Sequence, residues 1–290
     1  MIRQARPSRL YVAADGPRAH RKGEVEKVRQ VREIATQVDW PCEVKTLFRE
    51  KNLGCKVAVS SAISWFFEHE EQGLILEDDC LPHPDYFRFC DELLNYYAND
   101  NCVWVITGNN FQDGQVRGDG SYYFSKYSHC WGWASWRRAW KKYDVDMSFW
   151  PVWKKSADWR KKTPNSVERM YWERLFDQTY LGKIDTWDYQ WIATVWYYGV
   201  LTATPNVNLV SNIGFGPDAT HTLSINHPLA NLPVFSLGDI QHPKEVAVNV
   251  DADLYAFNRI FCSSKLMRFK IKLYHLLKKV IQSFYIGETI

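Results

Sequence analysis

The chain has 290 residues, enough for one large domain or two small ones with a real core. It is 46% hydrophobic and 24% charged, the balance of an ordinary folded protein, and a net charge of +3 is too small to argue for a nucleic-acid partner. Seven Cys (42, 55, 80, 90, 102, 130 and 262) include no CxxC pair, which argues against a disulfide framework or a zinc site and for reduced thiols in the cytoplasm.

In chain order, "RLYVAA" (9–14) reads as a short buried strand. "GEVEKVRQVREIATQV" (23–38) carries Val25, Val28, Val31 and Ile34 three apart, an amphipathic helix. "CEVKTLF" (42–48) alternates as a second strand, "CKVAVSSAISWFF" (55–67) is a helix, and "GLIL" (73–76) a fully buried strand. A helix begun after a proline (85–100) and the strand "CVWVITG" (102–108) follow. Such alternation predicts an α/β fold, a mostly parallel sheet flanked by helices. Ligands of such sheets bind beyond the carboxyl ends of the strands.

From about 121 the alternation fades into "SYYF", Trp- and Lys-rich helices (135–180), "VLTATP" and "VNLVSNIGF". The 14 Trp and 16 Tyr are abundant; most suit a core, and the remainder suit a surface that stacks on rings. Residues 228–252 look like a proline-punctuated connector. In the terminal helix, 264–284, Leu266, Phe269, Leu273, Leu276, Val280 and Phe284 share a face, and six Lys or Arg fall within 265–279. Two readings stand for it: contact with an anionic membrane surface, or packing on the domain. No apolar run reaches the roughly 18–20 residues of a bilayer span, and "MIRQARPSRL" does not read as a signal peptide.

The stretch "GLILEDDCLPHPDYF" (73–87) drives a buried strand into Glu77, Asp78 and Asp79. Adjacent like charges cost free energy unless something offsets them. A divalent cation would do so, because hard cations take oxygen ligands. A solvated acidic loop or a helix N-terminus accounts for the triplet equally well.

"LILEDDCLPHPDYFRF" resembles the acidic motif of GT-A glycosyltransferases, closest to the EDD form of N-acetylglucosaminyltransferase I and related bacterial nucleotide-diphospho-sugar transferases. Five further segments resemble that family in the same order: "LYVAADGPR", "REKNLGCKVAVSSAISWFF", "HCWGWASWRRAW", "IDTWDYQW" and "TPNVNLVSNIGFGPDATHT". Together they cover roughly 9–222. The resemblance implies a GT-A (Rossmann-like) domain over 1–225, a connector over 226–263 and a basic amphipathic helix over 264–290.

It also implies transfer of a sugar from a nucleotide diphosphate, with UDP expected, to a glycan or lipid-linked acceptor. Asp79 matches the metal ligand, with Mn2+ or Mg2+ expected and His221 a candidate second ligand. Asp15 matches the residue at the nucleotide base, and Glu77 and Asp78 would lie against the donor. Trp131 and Trp133 would be ring-stacking walls, with Gly132 letting the backbone approach the sugar. Asp188 is the expected catalytic base and Asp185 the alternative, one of them also suited to cap the helix "YQWIATVWYYG". A base opposite the leaving group would invert the anomeric centre. No nucleic-acid partner is implied. The expected location is cytoplasmic, with peripheral contact at the inner membrane face through 264–284.

One departure is marked. The family has a strand and helix before the strand that ends at Asp15, and this chain begins inside that first helix. The sheet is therefore expected to have an unpaired position. Two rival readings follow: a catalytically weak or inactive nucleotide-sugar-binding remnant of the fold, and a metal-dependent phosphoesterase using the acid cluster alone.

Overall fold

The computed structural model describes residues 2–216, 224, 226–262, 269 and 273. The elements in order are α1 (Ile2–Ala5), β1 (Arg9–Ala14), α2 (Glu24–Thr36), β2 (Glu43–Phe48), α3 (Gly54–His69), β3 (Gln72–Ile75), β4 (Cys80–Pro82), α4 (Pro84–Tyr96), β5 (Val103–Thr107), β6 (Tyr122–Ser125) and β7 (Trp133–Trp136). Then come α5 (Arg137–Trp140), α6 (Trp150–Trp153), α7 (Ala157–Lys162), α8 (Ser166–Tyr180), α9 (Asp188–Tyr198), β8 (Leu201–Pro205), β9 (Val210–Asn212), α10 (Val250–Ala256) and a π-helical turn, Phe257–Phe261. Apart from Phe269 and Leu273, the terminal helix predicted over 264–284 falls outside the described residues, as does His221.

Local chemistry sets several boundaries. Pro84 opens α4 where a missing N–H costs nothing, and the His83 side chain accepts from Asp85 N. Asn165 caps α8 by accepting from Val167 N and Glu168 N. Gly199 ends α9.

The central sheet has the order β3-β7-β5-β8-β6. β5 and β8 pair parallel, while β7 runs antiparallel between β3 and β5, and β6 antiparallel beside β8. The expected shared direction holds for β3, β5 and β8; β7 and β6 run against it, so the sheet is mixed rather than mostly parallel. The strand 133–136 had been hidden in a Trp-rich stretch with no alternating pattern to mark it. Because β7 is antiparallel, its first residue Trp133 pairs with Ile75 and Thr107, the last residues of β3 and β5. Residues 131–133 therefore arrive at the carboxyl end of the sheet, where the acids are.

Helices cover both faces. Trp133 faces a layer with α3, α5, α8 and α9, whereas Ala134 and Trp136 face α4, as the two-residue period of a strand requires. Eleven of the fourteen Trp are buried, so the aromatic richness of the chain is chiefly core. Most of their indole N–H groups are paired: Trp150 with Asp177, Trp153 with Asp158, Trp159 with Glu173 and Trp140 with Ser64.

The N-terminal strands are different. β1 and β2 form a parallel pair separate from the central sheet, and none of their residues, nor of β3, is fully buried. The expectation that 73–76 is a fully buried strand is thus corrected: β3 is an edge strand whose residues are half-buried. Phe66 of α3 touches both sides of the division, 5.0 Å ring to ring from Tyr11 and in contact with Gly73. In the same region Val25, Val31 and Ile34 of α2 stand exposed.

The segment read as a connector straps the domain. The Tyr122 hydroxyl and His242 Nδ1 are 2.7 Å apart, His242 stacks on Tyr96 at 3.7 Å, and Asn249 N donates to Phe124 O at 2.8 Å. The strap ends at α10, where buried Asp253 accepts from Ser125 Oγ at 2.5 Å and Lys126 N at 3.3 Å. Burial pushes the Asp253 carboxyl up to about 7.

The sign follows directly. With its native pKa above the unfolded one, Asp253 binds more protons when folded, so its contribution is complete below the ordinary aspartate range and is lost as pH rises through about 7. Asp253→Asn is expected to flatten the fall in stability across that window. Urea midpoints compared at both ends of the window check this, and parallel curves for the two proteins would refute it.

Candidate active site

The site forms where β3 ends. Cys80 N donates to Glu77 O at 3.1 Å, turning the chain so that β4 pairs antiparallel with β9, Cys80 opposite Asn212. β9 and the residues after it thereby lie across the acid triplet. Ile213 N donates to Asp79 O at 2.9 Å, and the Asn212 side chain bonds the Asp79 carboxylate. Gly214 N donates to Asn212 Oδ1 at 2.9 Å. A Cβ on Gly214 would stand 2.2 Å from Asp79 Oδ2, so only glycine lets the backbone pass this closely over the carboxylate.

The electrostatics couple distant parts of the chain. Burial pushes Glu77 up to about 7, reinforced by the charges of Asp79, Asp188 and Asp78 and opposed by the Trp187 indole, which donates to Glu77 Oε1 at 3.1 Å. Asp79 is also raised, by burial first and by Asp78 as a neighbour, with the Asn212 bond opposing. Asp78 itself is exposed. Asp188, first residue of α9, accepts from the Thr186 hydroxyl. Its charge is felt by Glu77, Cys55 and Cys130, and the Cys55 thiol is pushed up to about 12, chiefly by burial. Glu77 thus responds to the charges of both Asp79 and Asp188.

Asp185 does something else. It was expected to serve as base or to cap α9. Instead its carboxylate accepts from Cys55 N at 3.0 Å and Lys56 N at 2.8 Å, closing the first turn of α3. Asp15, expected at the nucleotide base, takes the two preceding donors, Leu53 N at 3.0 Å and Gly54 N at 3.2 Å, along with Gly16 N and Asn52 Nδ2. Four consecutive N–H groups that α3 cannot satisfy internally are thus met by two carboxylates from remote segments, each also favoured by the helix dipole. The contact ties the loop before α9 to α3, and so fixes the approach of Trp187 and Asp188.

Removing it has a measurable cost. Asp185→Ala is expected to lower stability by about 1–2 kcal/mol, the usual value of a helix cap. That corresponds to roughly 2–8 °C in Tm for a chain of this size. An unchanged melting curve would show that the capped turn is satisfied by water instead.

The aromatic expectations divide. Trp131 is half-buried, edge-on to Phe215 at 5.6 Å and to Phe111 at 5.9 Å, and borders the site. Trp133 is corrected: it is 1% exposed, stacked on Trp187 at 5.6 Å within a group that includes Trp140 and Trp191. No sugar reaches it; it supports Trp187 from behind. At Gly132 the backbone is left-handed (φ 73°), and a Cβ would meet Val210 at 2.8 Å and Leu76 at 3.2 Å, so the turn and close packing require glycine there.

Trp187, Thr186, Asn212 and Gly214 belong to the site and were not singled out from the sequence. The family-like segments "IDTWDYQW" and "VSNIGF" contain all four, but which of their side chains meet depends on β4–β9 pairing. Among the described residues no group of three His, Cys, Asp or Glu side chains converges as a complete metal-ligand set. Also among the described residues, no helix is long and apolar enough to cross a membrane. No protein-family model matches the chain, and no curated protein matches it.

Proposed function

We propose that the chain is a metal-dependent, inverting glycosyltransferase that moves a sugar from a nucleotide diphosphate, most simply UDP, to a hydroxyl of a glycan or lipid-linked acceptor. The observation that carries this reading is the bond from Trp187 to Glu77 across 110 residues of sequence, in a group where Glu77 responds to Asp79 and Asp188 together. A strand-end acid cluster facing one further carboxylate is what the chemistry demands: charge to be neutralised on one side, a proton to be removed on the other. The six-segment resemblance points the same way.

Asp79 and Asp78 both raise Glu77, and Asp78 raises Asp79, an arrangement a divalent cation relieves. Asp79 would hold it, with Asp78 and Glu77 beside the donor or metal-bound water. Bound Mn2+ or Mg2+ would stabilise the negative charge of the departing diphosphate.

The remaining roles belong to the chain. Asp188 takes the proton of the attacking hydroxyl, and the Thr186 hydroxyl orients its carboxylate. The Trp187 indole holds Glu77. Near neutral pH Glu77 carries a proton for part of the time, which limits its repulsion of Asp79 and Asp188. Trp131, partly exposed and edge-on to the Phe215 that follows Gly214, would offer its ring to a sugar face. The chain would act in the cytoplasm, at a membrane's inner face if the acceptor is lipid-linked.

The test is a screen of nucleotide sugars for Mn2+- or Mg2+-dependent release of nucleoside diphosphate. Asp79→Ala is expected to reduce release by at least about 100-fold, the scale of losing one electrostatic stabiliser of a transition state. If no donor is cleaved by the unaltered chain in either metal, the transferase reading fails.

The detached β1–β2 pair favours one second reading, a nucleotide-sugar-binding protein without turnover. Calorimetry with UDP distinguishes it: metal-dependent binding together with no donor cleavage supports the binding protein.

A further inference from the structure

Residues 137–162 hold nine Lys or Arg against three Asp, a net +6 in a chain whose total is +3. The remaining residues together are therefore net acidic, and α5, α6, α7 and the turns between them form one of two basic stretches of the chain, the other lying within 264–290. The three acids are engaged locally. Asp144 accepts from Asp146 N and from Ser148 N and Oγ, Asp146 pairs with Lys56, and Asp158 accepts from the Trp153 indole. Lys154 pairs with Asp177. Lys141, Lys142, Lys155, Arg160 and Lys161 are exposed, and none forms an ion pair among the described residues.

The same surface carries apolar side chains that the core does not use. Val152 protrudes between buried Trp150 and Trp153 and is 78% exposed. The end of α9 adds Tyr197 and Tyr198, both partly exposed. Tyr197 stacks on Phe149 at 4.4 Å and meets Trp153 edge-on at 5.5 Å, and Lys142 Nζ lies 5.8 Å over the Tyr198 ring. Lys142 and Lys162 thus lie at the carbonyl end of α9, where the helix dipole favours them.

We propose that this face is a docking surface for an anionic lipid bilayer, with Val152, Tyr197 and Tyr198 entering the headgroup layer and the five unpaired cations facing lipid phosphates. Lysines act here as point charges towards a diffuse negative surface, and tyrosines are at home at the level of headgroups. A protruding aliphatic side chain gains nothing from a fully polar polyanion such as an acidic polysaccharide, which is why the bilayer is the favoured occupant. Asp188 stands at the opposite end of α9, roughly 16 Å away along the helix axis. Docking would therefore leave the acid site open. The proposal requires no transferase activity and stands or falls separately from it.

The test is sedimentation of the full chain with vesicles of phosphatidylcholine alone and of phosphatidylcholine mixed with phosphatidylglycerol. The chain is expected to sediment with the anionic vesicles only, and to be released by salt. Each lysine reversed to glutamate among Lys141, Lys142, Lys155 and Lys161 is expected to weaken binding by at least about fivefold. Val152→Ser, which adds no charge, is expected to weaken it without changing the salt dependence. Recovery of the fourfold Lys→Glu variant equal to that of the unaltered chain would overturn the proposal. So would no recovery of the unaltered chain, or capture by a soluble acidic polysaccharide with none by vesicles.

Discussion

Asp188→Asn is expected to lower sugar transfer by about 10²–10⁴-fold, the contribution of a positioned general base. The substitution keeps the oxygen that accepts from Thr186 and keeps the side chain's volume, so the start of α9 retains its local geometry. What it removes is basicity and a negative charge. The second loss has its own signature: the Asp188 charge helps push Glu77 up, so Glu77 should titrate below about 7 in the variant. The two readouts are independent. Transfer rates measured with saturating donor test the base, and an NMR titration of the Glu77 carboxyl in the unaltered chain and in Asp188→Asn tests the coupling. Full transfer by Asp188→Asn would remove Asp188 as base.

Trp133→Ala is expected to lower stability by about 3–5 kcal/mol, the cost of deleting a large aromatic from a packed core. In a chain of this size that lowers Tm by about 6–20 °C. The ring is 1% exposed and lies against Trp187, Trp140 and Trp191, so its removal would leave a cavity between the sheet and the helices carrying the site. Trp131→Ala is the contrasting variant. Being half-buried at the rim, it should shift Tm much less while raising KM for donor or acceptor. Equal melting curves for Trp133→Ala and the unaltered chain, with a raised KM for the former, would reverse the two assignments.

These two tryptophans show how far residue pattern carries. "CWGW" offered two equivalent rings flanking a glycine, but alternate residues of a strand point to opposite faces, and residues before a strand obey no such rule. Trp133 begins β7 and turns into the helix layer, whereas Trp131 precedes it and stays at the rim. Nothing in the stretch marked a strand, because β7 is buried on both faces and has no polar side to alternate. The same cause concealed the mixed character of the sheet: local sequence identifies strands, and pairing decides their direction.

The acids were easier to read, because a charged triplet after an apolar strand is costly and so conspicuous. Asp185 and Asp188 were harder to separate. Three residues apart and both beside a helix start, they differ only in what the fold brings to them: the free N–H groups of α3 for one, Glu77 and Thr186 for the other.

The sequence by itself determined the α/β class, the helices and strands through 108 other than α1 and β4, though not the exposure of β1 and β3, and the mouth of the sheet as the place where acids gather. These are consequences of hydrophobic period and of the cost of adjacent charge, both local quantities. Tertiary structure alone decided which acid became a helix cap, which tryptophan became core, and that Trp187 and Gly214 close over Glu77 and Asp79. Those outcomes rest on contacts between residues up to 135 positions apart, set by strand pairing and helix packing rather than by any neighbour in the chain.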